Sequence, residues 1–181
     1  REALRADAAS AVDALHAGGV GVEICSGDAA GPVALAAATL RIADWRARQT
    51  PEDKLAHLKA LQAHGRRVAM VGDGINDAPV LAGADVSLAL ADGAALAQRA
   101  ADFVIAGKRL SALPQAIDLA RRTRRIIRQN LGWALAYNAI ALPLAATGRI
   151  TPWMAAIGMA VSSLVVTLNA LRLSRRTGIM G

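Results

Sequence analysis

Residues 66–90, "RRVAMVGDGINDAPVLAGADVSLAL", decide the fold. An apolar segment runs into "GDGIND", which packs two carboxylates, two glycines and an asparagine into six residues. A short small-residue helix pattern follows, and then a second apolar segment, "DVSLAL". Strand, tight loop, helix and strand in that order belong to a parallel sheet with crossover helices. Sites in such sheets form outside the carboxyl ends of the strands. Gly72 and Gly74 permit a tight turn, while Asp73 and Asp77 supply hard oxygen ligands suited to Mg²⁺. A plain turn needs Asp-Gly once, not two acids bracketing an asparagine.

The same alternation extends in both directions. "DAASAVDALHAGG" reads as an amphipathic helix with a glycine stop, "VGVEIC" as a strand, and "GPVALAAATLRI" as a helix. "PEDKLAHLKALQAHG" reads as a helix opened by Pro51. After "DVSLAL" come a helix around Ala94 to Ala100 and the strand "DFVI". The apolar strands are fit for burial on both faces. A second loop, "CSGD", also falls at a strand end. There Ser26, Gly27 and Asp28 can line a phosphate, and Lys54, near the start of its helix, can reach the same phosphate as a point charge. By itself "SGD" is an ordinary strand-to-helix turn and "PEDK" an ordinary helix start. In this order, on alternating elements, they are the parts of a Mg²⁺-dependent phosphoryl-transfer site.

Charge divides the chain. The whole carries +7, but residues 1–120 hold 12 Lys and Arg against all 14 acids, whereas residues 121–181 hold 9 Arg and no acid. The basic excess flanks two uncharged runs, 20 residues at 129–148 and 22 at 150–171. Either is long enough to cross a bilayer core of about 30 Å. The expectation is a transmembrane hairpin turning at "TGRITP", fed by the basic helix "AIDLARRTRRIIRQN", with both ends cytoplasmic by the positive-inside rule. The basicity is therefore membrane topology, and nucleic acid is not expected as a partner. The single cysteine, Cys25, rules out an internal disulfide. The chain starts at Arg1 without a signal peptide and is expected to be a piece of something longer.

"MVGDGINDAPVLAGADVSLAL" resembles the hinge motif of P-type ATPases, whose phosphorylation domain belongs to the haloacid dehalogenase superfamily. With "SGD", "PEDK", "YN", "MAVSS" and "NALRL", the resemblance covers essentially the whole chain and points to the copper-transporting branch. "IADWRARQTPEDK" further resembles the subgroup that supplies copper for cytochrome oxidase assembly. The fold this implies is α/β: a partial haloacid-dehalogenase-like, Rossmann-like domain over residues 1–110, a stalk at 111–128, two membrane helices at 129–172 and a cytoplasmic tail.

By that resemblance Asp73 and Asp77 serve Mg²⁺ and phosphoenzyme hydrolysis, Asn76 assists, Lys54 contacts the phosphate, and Ser26, Gly27 and Asp28 line it. Tyr137, Asn138, Met159, Ser162 and Ser163 would form the Cu(I) path, since a thioether suits a soft cation. The implied cofactors are Mg²⁺ and ATP, with transported Cu⁺ as cargo and a copper chaperone as partner, in the inner membrane.

Three family features are missing from the sequence: an Asp-Lys-Thr-Gly nucleophile segment, the nucleotide-binding domain and a Cys-Pro-Cys membrane helix. Without its nucleophile the chain alone is not expected to turn over ATP. Ala91, Asp92 and Gly93 stand where the family commonly has Gly-Thr-Gly. Two rival readings are a membrane-anchored phosphatase of the same superfamily and a non-catalytic two-helix membrane protein that binds a partner. The phosphatase would need its own aspartate at the end of a first strand, and none precedes "SGD".

Overall fold

The computed structural model describes residues 4–72, 75–91, 95–105 and 109–174. They divide into two compact units, residues 1–115 and 116–181.

The first unit alternates helix and strand. Its order is α1 (Ala8–Ala17), β1 (Glu23–Cys25), α2 (Ala30–Leu40), β2 (Asp44–Arg46), α3 (Pro51–Ala63) and β3 (Ala69–Gly72). A 3₁₀ turn (Ile75–Asp77), α4 (Ala78–Gly83), β4 (Val86–Leu90), α5 (Ala95–Ala100) and β5 (Phe103–Ile105) complete it. All pairings are parallel, but the strands form two sheets, β1-β2 and β3-β4-β5. Within each sheet every strand-to-strand step passes through a helix, as parallel pairing demands.

The apolar contacts that hold this unit follow the two sheets. Ala8, Ala11, Val12, Val33, Ala37 and Ile42 are buried along α1, α2 and the turn after α2. Leu81 and Ala89 form the centre beneath the larger sheet, with Met70, Ala100 and Ala101 packed on them. Ser87 is buried in the middle of β4, and its polar groups are satisfied by Asp102, whose carboxylate accepts from the Ser87 amide at 2.8 Å and hydroxyl at 2.9 Å. A buried hydroxyl without such a partner would cost about 1–3 kcal/mol.

Burial on both faces holds for the central strand β4 only from Ser87 to Leu90, Val86 being exposed, and fails elsewhere. All of β2 is exposed, as are Phe103 and Val104 of β5. Both are terminal strands of their sheets, and β2 carries Asp44 and Arg46, which favour water. The strands are also shorter than their apolar runs: "VGVEIC" pairs only over Glu23–Cys25.

Helix α2 ends with Arg41 in the left-handed region at φ 55°, where its amide donates to Ala38 O and that of Ile42 to Ala37 O. This is a Schellman closure made without glycine.

The second unit is helical. Helix α6 runs Ala112–Ala146 and α7 runs Pro152–Ser174. The turn between them falls at "TGRITP", where Gly148 at φ 70° donates to Ala145 O and Arg149 to Leu144 O. Glycine supplies the left-handed conformation that closes α6. Tyr137 packs against Gly158, where an added Cβ would lie 2.6 Å from its hydroxyl oxygen. Lower on the same seam, Trp133 Nε1 donates to Ser162 Oγ at 3.1 Å, and Asn169 Nδ2 donates to Asn130 Oδ1 at 2.8 Å.

Among the described residues, α7 alone is both long and apolar enough to cross a membrane by hydropathy, over residues 152–173. The uncharged end of α6 is diluted by Gln129, Asn130, Asn138 and Pro143.

Candidate functional site

Helix α3 is placed by its first turn. Thr50 and Asp53 cap each other: the Asp53 amide donates to Thr50 Oγ1 at 3.2 Å and the Thr50 amide to Asp53 Oδ2 at 3.0 Å. The Thr50 amide, together with the Thr50 hydroxyl that also donates to Asp53 Oδ2 at 2.9 Å, holds the Asp53 carboxyl below the usual carboxylate range. The cap fixes the direction of the next side chain, Lys54. Its Nζ lies 2.8 Å from Asp77 Oδ1, and both side chains are largely covered, 14% and 13% exposed.

Asp77 reaches this position because Gly72 has no side chain. A Cβ on Gly72 would lie 2.9 Å from Asp77 Cβ and 3.1 Å from its Oδ2. Asp77 also closes the 3₁₀ turn and stands at the start of α4.

The other loop is tied to the segment that enters α3. Burial pushes the Cys25 thiol up, against the opposing pull of the Lys54 and Arg46 charges. Ser26 Oγ donates to Asp28 Oδ2 at 2.9 Å and accepts from the Asp28 amide at 3.2 Å, a closed local turn. The backbone ties that turn to the segment entering α3, with Gln49 N donating to Ser26 O at 2.9 Å and Arg48 N to Asp28 O at 2.8 Å. Further along α3, His57 Nε2 lies 2.8 Å from Glu23 Oε2 of β1. Gln62 Nε2 donates to Gly83 O and to Asp85 Oδ2, both at 3.1 Å. One helix thus spans from the smaller sheet to the elements that follow β3.

Of the residues singled out in the sequence, Lys54 and Asp77 meet directly, and Ser26, Gly27 and Asp28 lie on the loop at the end of β1. Asn76 is exposed on the 3₁₀ turn, and Asp73 and Gly74 lie outside the described residues. In the second unit Tyr137 and Ser162 sit in the helix seam, whereas Asn138, Met159 and Ser163 are exposed, Met159 to 66%.

Sequence reasoning missed the cap and the role of Gly72. The first had a signal, "TPED", with Thr and Asp at capping-box spacing. The second had none, because an approach between Gly72 and Asp77 is a property of the turn.

No group of three His, Cys, Asp or Glu capable of holding a metal exists among the described residues. The donors at hand fit Mg²⁺ rather than a soft ion: Asp77 offers carboxylate oxygen, and Mg²⁺ typically takes one or two carboxylates plus phosphate oxygens and water. Lys54 already occupies one Asp77 oxygen.

Haloacid dehalogenase-like hydrolase models match residues 1–85 and 54–117. The chain is 47% identical over 172 residues to nitrogen fixation protein FixI of Bradyrhizobium diazoefficiens, an alignment covering 95% of this chain and 24% of the relative. A copper-exporting P-type ATPase of Staphylococcus aureus is 43% identical over 168 residues, 93% of this chain and 21% of that protein. The crystal structure of a zinc-transporting PIB-type ATPase in the E2.Pi state superposes with a TM-score of 0.90 at 39% identity, over 96% of this chain and 28% of the other. The chain belongs to the heavy-metal P-type ATPase family. It spans about a quarter of the length of the curated relatives it matches.

Proposed function

We propose that the chain is the C-terminal part of an ATP-driven heavy-metal pump with Cu(I) as cargo, in which the first unit completes a phosphoryl-transfer site and the second forms part of the membrane path. One observation carries it: Lys54, in the first turn of the helix whose entry is bonded to the loop after β1, pairs with Asp77 of the loop after β3, in a sequence without an Asp-Lys-Thr-Gly segment.

The sheet topology supports the same reading. β1 pairs only with β2, and β3 only with β4, so each keeps one edge unpaired among the described strands. Helix α3 bonds to β1 through His57 and to the turn after β3 through Lys54. A parallel strand carrying an aspartate at its carboxyl end fits between them and would deliver that aspartate to the lysine. Lys54 then neutralises the transferred phosphoryl group, Asp77 keeps the lysine oriented, and Ser26 with the amides of Gly27 and Asp28 holds phosphate oxygens. Asp73 and Asp77, assisted by Asn76, would hold Mg²⁺, which when bound supplies charge neutralisation to the phosphoryl oxygens.

For the membrane part, exposed Ile157, Met159, Val161, Leu164 and Leu168 on α7 call for lipid or neighbouring helices. In this reading the hairpin has both ends in the cytoplasm. Tyr137 and Ser162 set the seam, while Asn138, Met159 and Ser163 face outward to meet the cargo. Copper is favoured over zinc because α7 contains no carboxylate and does contain a thioether.

The test is metal-stimulated ATP turnover of the full-length protein. Copper stimulation that falls severalfold in Met159→Ala, with phosphorylation by inorganic phosphate retained, supports the reading. Unchanged stimulation by copper in that variant removes Met159 from the path, and stimulation by zinc alone replaces the cargo.

A further inference from the structure

Helix α6 enters the apolar run with an ordered row of cations. Arg121, Arg124, Arg125, Arg128 and Gln129 line one open concavity of about 390 Å³. At about 100° per residue the four arginines fall within a sector of about 100° on one helix face. Arg122 lies off that sector and is engaged by Asp118, at 2.7 Å. No Asp or Glu follows Asp118 in the sequence.

Retention of a segment on the cytoplasmic side of a membrane requires arginines but not a shared face. A one-sided row does something more: it sets four guanidinium groups, each able to take a phosphate bidentately, around one concavity. The inner end of the row lies at headgroup depth. At about 1.5 Å per residue, Arg128 lies about 4–5 Å before Leu131, where the apolar run begins, within a headgroup layer of about 5–8 Å per leaflet, and Arg124 lies about 10 Å before it, at the outer edge of that layer.

The inner rim is braced. Asn169 Nδ2 of α7 donates to Gln129 Oε1 at 3.2 Å as well as to Asn130, and Asn169 Oδ1 accepts from Arg172 Nη1 at 3.2 Å. The end of the crevice is thereby fixed to both helices and brings in a further cation.

We propose that this crevice binds the phosphate headgroup of an anionic phospholipid at the membrane surface from which α6 enters. The site rests on the membrane reading above, but not on the identity of the cargo. A bound headgroup would hold α6 and α7 at one depth through Gln129 and Asn169.

The experiment is native mass spectrometry of the full chain released from nanodiscs of phosphatidylcholine containing phosphatidylglycerol, with adducts of the two lipids counted. Phosphatidylglycerol should be retained on the order of tenfold over its share in the bilayer. Arg124→Gln/Arg125→Gln should bring that ratio near one with helix content unchanged by circular dichroism. The paired lysine variant should restore part of it, and Arg149→Gln should leave it intact. Equal retention of both lipids, a preference surviving in the glutamine pair, or complete displacement by inorganic phosphate would overturn the site. The last would mark it as a free-phosphate site. A chain that never enters nanodiscs would overturn the membrane reading itself.

Discussion

Lys54 Nζ and Asp77 Oδ1, 23 residues apart in sequence, meet at 2.8 Å with both side chains largely covered. A pair in that setting couples two elements, the start of α3 and the end of the loop after β3. Replacing one partner leaves the other charge poorly solvated. A double-mutant cycle with Lys54→Met and Asp77→Asn should give a coupling of about 2 kcal/mol in urea unfolding. A value near zero would mean that the pair is held apart in solution.

Gly72 is required by that geometry. Gly72→Ala places a methyl group 2.9 Å from Asp77 Cβ and should cost about 1–3 kcal/mol. Gly132→Ala, where a Cβ meets open space, should be neutral to stabilising. Equal stability of the two variants would contradict the close approach.

The same logic applies in the hairpin. Gly158→Ala drives a methyl group against the Tyr137 hydroxyl, and Tyr137→Phe in the same chain should relieve most of the loss. Thermal unfolding in detergent reads both. If phenylalanine gives no relief, the seam does not pass through this pair.

Arg41 offers a gain instead. Its left-handed conformation strains an L-residue by about 1 kcal/mol. Its ion pair with Asp13 is long, at 3.9 Å, and exposed, so it contributes little. Arg41→Gly should raise the midpoint of chemical unfolding, and a lower midpoint would show that the ion pair outweighs the strain.

Acid should loosen the larger sheet. The Ser87 amide and hydroxyl hold the Asp102 carboxyl below the usual range, and the Val68 amide with Gln62 does the same for Asp85. A carboxyl with a depressed folded pKa adds stability that is present above its unfolded value near 3.8 and lost as pH falls through the folded value. Ser87→Ala should therefore cost more stability at pH 7 than at pH 2. A loss independent of pH would assign the effect to packing.

Much of the first unit was legible in the sequence, since apolar runs ending in glycine and acid mark parallel strands and their loops. The strand β2 was not. "DWR" has no alternation and two charges, and it is a strand only because β1 offers Asp44, Trp45 and Arg46 a parallel partner. The break into two sheets was also hidden, because strand order is a long-range property. At the site, the types of Lys54 and Asp77 were readable as chemistry, while their direct pairing was not. In the hairpin the turn was readable from Gly148, whereas the Trp133–Ser162 bond depends on the helix register.

As proposed, this chain completes a phosphoryl-transfer site for an aspartate supplied from elsewhere in the full-length protein. The most direct measurement is acid-stable phosphoenzyme formed from radiolabelled ATP and Mg²⁺ by the full-length protein, wild type against Asp73→Asn and Lys54→Met. The wild type should be labelled, Asp73→Asn should carry no label, and Lys54→Met should form or hydrolyse its phosphoenzyme on the order of a hundredfold more slowly. Wild-type labelling and turnover in both variants would contradict it.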